Sequence, residues 1–94
     1  MVRRFFLIAY DVSDDRRRVR LEKLLAGYAS RTQFSVFEAW LAAGEVDELL
    51  GRAEAHVKAP SDSLRLYPVC RECLDGVRVL GRGGPPDEEE LVVV

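Results

Sequence analysis

Six apolar residues in a row, Phe5-Phe6-Leu7-Ile8-Ala9-Tyr10, are closed abruptly by Asp11. A run that short, apolar on both alternating sides, predicts a central β-strand buried on both faces. Asp11-Val12-Ser13-Asp14-Asp15 follows, rich in residues that turn chains and cap helices. From Asp15 to Tyr28 the period changes. Leu21, Leu24, Leu25 and Tyr28 fall at i, i+3, i+4 and i+7, the stripe of an amphipathic helix, and Gly27 sits where such a helix ends. Thr32–Leu41 returns to alternation, with Phe34 and Val36 set against Gln33 and Ser35. The alternation slips by one at Val36-Phe37, which predicts a bulge or a break between two strand segments.

Val46, Leu49, Leu50, Ala53 and Val57 then mark one face of a second helix over Glu45–Val57. Pro60-Ser61-Asp62 predicts a turn. Ser63–Tyr67 alternates as a strand closed by Pro68, and Val77–Leu80 predicts a short final core strand. Gly81-Arg82-Gly83-Gly84-Pro85-Pro86 has the composition of a linker. Beyond it lie four acids and the β-prone Leu91–Val94, for which fraying is the other reading.

This order, β-α-β-(β)-α-β-β, predicts an α+β chain with the ferredoxin-like βαββαβ fold, an antiparallel sheet carrying its helices on one face. The other sheet face then needs a cover. A chain this short buries only about two-thirds of its unfolded surface, so a second copy packed sheet to sheet is the expected one. In that homodimer Leu91–Val94 would add as an edge strand to the partner. Residues 1–82 form the expected domain, and 83–94 the linker and C-terminal strand.

No run approaches the roughly 20 apolar residues that span a bilayer, and Phe5–Tyr10 is shorter than the roughly 7–15 residues of a signal-peptide core. A cytoplasmic protein without a membrane partner is the expectation. The net charge of −2 argues for no partner, but its distribution does. Arg3, Arg4, Arg16, Arg17, Arg18, Arg20, Lys23 and Arg31 lie early, and Glu45, Asp47, Glu48, Glu54 and Asp87–Glu90 late. Local fields rather than the sum decide what binds.

Cys70 and Cys73 form one C-x-x-C. A zinc site needs about four ligands, and only His56 is available besides. A redox pair needs the motif at a helix N-terminus after a strand. Here Leu74-Asp75-Gly76 reads as a turn, so two reduced thiols in a partly buried loop are expected. His56 is expected on a solvated helix surface.

The chemistry concentrates after the first strand. Ser13 and Asp14 can make the turn bonds and the helix cap, which leaves Asp11 at the strand tip without a structural duty. A hard cation such as Mg²⁺ keeps several waters and needs only one or two carboxylates. Two copies of Asp11 meeting across a two-fold axis could hold one metal between them. Arg16-Arg17-Arg18-Val19-Arg20 opens the first helix against its macrodipole, which suggests a use other than stability. Guanidinium forks suit phosphate oxygens, although pairing with nearby acids is the plainer reading.

Three separated motifs carry a more specific signal. Tyr10-Asp11-Val12-Ser13-Asp14-Asp15-Arg16-Arg17-Arg18 resembles the strand-one signature of the second universal CRISPR adaptation protein, a family of CRISPR-associated endoribonucleases. Arg31-Thr32-Gln33-Phe34-Ser35-Val36-Phe37-Glu38 is similar to its second signature, and Leu66-Tyr67-Pro68-Val69-Cys70, with Cys73 following, to its third. Trp40 departs from the charged or small residue that many members carry there.

The resemblance implies a ferredoxin-like homodimer that donates its C-terminal strand. It implies that Asp11 is the catalytic, metal-holding residue for Mg²⁺ (or Mn²⁺), and that Arg16, Arg17, Arg18, Arg20 and Arg31 contact nucleic acid. Tyr10, Ser13 and Phe37 would support them. The implied reaction is hydrolysis of phosphodiester bonds in RNA or double-stranded DNA. The alternative it implies is a non-catalytic scaffold that bridges two dimers of the CRISPR integrase and holds the prespacer duplex. A toxin-type ribonuclease of similar fold is a weaker reading. An RNA-recognition domain would need exposed aromatics on its middle strands, whereas Phe5 and Phe6 lie in a run that reads as buried.

Overall fold

The computed structural model describes residues 2–83. The apolar run forms β1 (Arg3–Asp11), central in a four-stranded antiparallel sheet of order β2-β3-β1-β4. The chain continues through α1 (Asp15–Ala26), β2 (Ser30–Gln33), β3 (Val36–Ala42), α2 (Ala43–Ala53), a single 3₁₀ turn Glu54–His56, β4 (Ser63–Val69) and α3 (Arg71–Asp75). Up to β4 this is the expected β-α-β-β-α-β succession.

The helical stripe of α1 does what its spacing predicts. Leu21 and Leu25 are completely buried, with Leu49 of α2, against Ile8 and Tyr10 of β1 and Phe37, Ala39 and Leu41 of β3. Full burial of each leucine contributes about 1.5–3 kcal/mol. α1 and α2 therefore cover the sheet face that carries Ile8 and Tyr10. Alternation along β1 sends Phe5, Leu7, Ala9 and Asp11 to the opposite face. Among the described residues only one end of that second face is covered: Leu74 of α3 packs on Phe5 and Trp40, with Val69 alongside. Leu7 and Ala9 are only half-buried, so the described residues do not seal β1 on both faces.

Several sequence expectations change. The Thr32–Leu41 stretch is two strands joined through Phe34-Ser35, and β2 carries a further irregularity between Arg31 and Gln33. Phe34, assigned by alternation to a buried face, sits in this connection and is 91% exposed. α2 ends at Ala53 and the chain tightens into the 3₁₀ turn, where His56 is half-buried rather than solvated. β4 runs past Pro68, which is tolerable because β4 is an edge strand. Val77–Leu80 forms no strand. These residues are exposed after α3 and pair with no strand among the described residues. Cys70 and Cys73 are likewise exposed, and they open a helix rather than a loop. The segment 84–94, with the expected Leu91–Val94 strand, lies outside the described residues.

Candidate metal and nucleic-acid site

Asp11 is the last residue of β1, paired in register with Ser63 at the start of β4. It is exposed, and its carboxylate makes no hydrogen bond or ion pair among the described residues. Its side chain belongs to the uncovered sheet face, in line with Ala9 and Leu7. The turn and capping duties fall to its neighbours, as expected. Asp14 caps α1, its Oδ2 accepting the Arg17 N–H at 2.9 Å, and that bond is the main cause holding its carboxyl below the usual range.

The loop behind Asp11 is organised by a residue that the sequence left as an ordinary turn aspartate. Asp62 has a completely buried side chain. Its Oδ1 accepts the Ser13 N–H at 3.1 Å and the Ser13 hydroxyl at 3.2 Å, and its Oδ2 accepts the Lys58 N–H at 3.0 Å. Arg17 donates to the same Oδ2 through Nε at 3.2 Å and Nη2 at 2.7 Å. The backbone bonds from Lys58 and Ser13, then Arg17 and Ser61, hold the Asp62 carboxyl far below the ordinary carboxylate range. Ser13 and Arg17 are thus tied into the fold through Asp62, so Arg17 has a structural engagement that phosphate would have to compete with.

A second network lies on the helix-covered face. The buried Tyr10 hydroxyl sits 2.6 Å from Glu22 Oε2 and 2.9 Å from the Phe34 carbonyl oxygen. Burial, followed by the Glu22 carboxylate, pushes the Tyr10 phenol up to about 12. Glu22 in turn is held low by the Tyr10 hydroxyl and by Arg31, whose Nη2 lies 3.1 Å away. The Arg31 guanidinium also stands 5.2 Å over the ring of buried Phe37. Tyr10, Phe37 and Arg31 are therefore brought together, and alternation places them across the sheet from Asp11.

The remaining cations divide by position. Arg18 reaches Asp15 at 2.7 Å. Arg16 and Arg20 stand on the outer surface of α1 beside Val19 and Lys23, lining a shallow cleft of about 440 Å³, and make no ion pair among the described residues. Their charges are available to an anionic surface.

No group of three His, Cys, Asp or Glu side chains converges among the described residues. Asp11 thus offers one carboxylate per chain. An exposed carboxylate with no protein partner suits a hard cation that retains most of its water.

A family model described as "CRISPR associated protein Cas2" matches residues 4–77. This chain belongs to the Cas2 family. It is 40% identical over 94 residues, all of both chains, to a protein of Thermus thermophilus named "CRISPR-associated endonuclease Cas2 2". It is 42% identical over 81 residues, 86% of each chain, to one from Synechocystis named "CRISPR-associated endoribonuclease Cas2 3". Among solved structures, a hypothetical protein from Thermus thermophilus aligns with a TM-score of 0.78 at 42% identity, over 90% of this chain and 99% of that one. Streptococcus pyogenes Cas2, crystallised at pH 6.5, aligns with 0.71 at 28% identity, over 82% and 99%. No helix among the described residues is long and apolar enough to cross a membrane.

Proposed function

We propose that this Cas2-family chain is a metal-dependent endonuclease of CRISPR spacer acquisition, hydrolysing phosphodiester bonds of RNA, DNA or both. It would act as a ferredoxin-like homodimer packed sheet to sheet, in the cytoplasm. The observation that carries the reading is the Asp11 carboxylate: exposed, unpartnered among the described residues, and on the one sheet face that lacks a full cover. In the dimer two copies of Asp11 would hold Mg²⁺ or Mn²⁺, which when bound activates water and neutralises phosphate charge. Asp62 and Ser13 keep the strand-tip loop in one shape, so the carboxylate is placed before substrate arrives. Arg16 and Arg20 would grip backbone phosphates, with Arg18 and Arg31 able to exchange an internal acid for a phosphate oxygen.

A second reading has its own support. One carboxylate per chain, with no further acid or histidine converging among the described residues, is a thin catalytic site. That favours a scaffold that grips a duplex and bridges CRISPR integrase dimers without cleaving. The Asp11→Ala variant separates the two. Because the Asp11 carboxylate makes no hydrogen bond or ion pair among the described residues, its removal should leave stability within about 0.5 kcal/mol. Metal-dependent cleavage and spacer acquisition are then measured separately on the same preparation. Loss of both identifies an essential nuclease. Loss of cleavage with acquisition retained identifies the scaffold. Unchanged cleavage rejects Asp11 as the catalytic group.

A further inference from the structure

We propose that Cys70 and Cys73 form a dithiol that exchanges with a small anionic disulfide, a carboxylate-bearing compound of the glutathione type, entering through the arginine-lined cleft beside α3. The pair lies at the far end of the sheet from Asp11: β1 pairs Phe5 with Val69 at one end and Asp11 with Ser63 at the other. The chemistry is therefore separate from phosphodiester cleavage.

Both thiols are free and exposed. Cys70 follows β4 and caps α3, with its Sγ accepting the Cys73 N–H at 3.3 Å, which brings the two residues together in one turn. The roles follow from this asymmetry. Backbone N–H groups and the Cys73 thiol hold Cys70 below the ordinary thiol range, whereas its bond to Cys70 pushes Cys73 up. Cys70 is the attacking sulfur and Cys73 the resolving one. No third His, Cys, Asp or Glu converges on the pair among the described residues, so two cysteines of one turn have dithiol chemistry open to them rather than a metal site.

The adjoining cleft supplies the choice of co-reactant. It has a volume of about 540 Å³ and is lined by Cys70, Arg4 and Arg71 beside Phe5 and Trp40, while Arg3 at its edge is already paired with Glu45 at 3.1 Å. Arg71 lies 5.2 Å over the Trp40 ring. Arg4 and Arg71, the cations of this lining without an ion pair among the described residues, favour an incoming disulfide that carries carboxylates.

The exchange proceeds in two balanced steps. The Cys70 thiolate attacks one sulfur of the incoming disulfide, whose S–S bond breaks and releases one thiolate. Cys73 gives its proton to solvent and attacks Cys70 Sγ, closing the intramolecular bond and releasing the second thiolate. Two protein thiols are oxidised and one disulfide is reduced to two thiols.

The test uses the full chain, incubated with glutathione disulfide, quenched in acid and weighed intact. Wild type should lose the mass of two hydrogens and keep no adduct. Cys73→Ser should accumulate a single adduct on Cys70, and Cys70→Ser should react about tenfold more slowly. Arg71→Ala should lose the preference for glutathione disulfide over uncharged hydroxyethyl disulfide. Equal reactivity of the two single-cysteine variants, or a wild type that retains its adduct without closing, overturns the pairing. An unchanged preference in Arg71→Ala overturns the cleft as the entry.

Discussion

Asp62 shows how one buried carboxylate can fix a site it does not belong to. Its oxygens take up two backbone N–H groups, two hydroxyls and a guanidinium, and the Ser13 and Lys58 N–H groups would lose their acceptor without it. Asp62→Asn should therefore lower the thermal midpoint at neutral pH and loosen the Ser13 loop. Because the folded carboxyl is held below its ordinary 3.8, its stabilisation is present above that value and is lost as the pH falls beneath it. The midpoints of wild type and Asp62→Asn should thus differ at neutral pH and converge in strong acid. A constant gap down to strong acid would remove Asp62 from this role. Tyr10 titrates in the opposite sense. Its phenol is raised from 10.0 to about 12, so its contribution is intact below 10 and fades as the pH rises through that window. Tyr10→Phe should cost about 1 kcal/mol in denaturant titration at neutral pH, and its stability should lose that alkaline fall.

At the scale of elements, α1 serves two purposes with one face each. Leu21 and Leu25 anchor it, while Arg16, Arg20 and Lys23 carry charge outward. A paired Arg16→Ala/Arg20→Ala variant should keep its fold, bind nucleic acid more weakly across sequences, and show a shallower dependence of affinity on salt by about one to two released counterions. An unchanged salt slope in filter-binding or anisotropy titrations would place the phosphate grip elsewhere. The elements themselves were legible where a period was sustained. β1 by its apolar run, α1 by its i, i+3, i+4, i+7 stripe and the hairpin by the slip at Val36-Phe37 follow directly from residue order. Legibility failed where the neighbourhood decides. Val77 and Val79 have strand-like spacing but pair with no strand among the described residues, and Phe34 has an apolar side chain on a hairpin connection. Leu74-Asp75-Gly76 looks like a turn, yet Leu74 is the apolar anchor that pulls Cys70–Asp75 into a helix against Phe5 and Trp40. In the site, Asp11 and the cations were readable as types at a strand tip and a helix start. The Asp62 hub was not, because its partners Ser13 and Arg17 are 49 and 45 residues away.

At the scale of the whole molecule, the sheet is closed on one face and open on most of the other. Leu7, Ala9, Val36 and Tyr67 lie on that open face, with Glu38 among them. Partial burial pushes the Glu38 carboxyl up. A second copy laid on this face would complete the burial that a chain of 94 residues leaves unfinished, and would bring the two copies of Asp11 onto a common axis. That shared carboxylate pair is the centre of the proposed activity. The most direct measurement is Mn²⁺ binding followed by electron paramagnetic resonance, on wild type and on Asp11→Asn of matched oligomeric state. The expected result is one bound Mn²⁺ for every two wild-type chains and none for Asp11→Asn. Equal Mn²⁺ binding by the two proteins would contradict it.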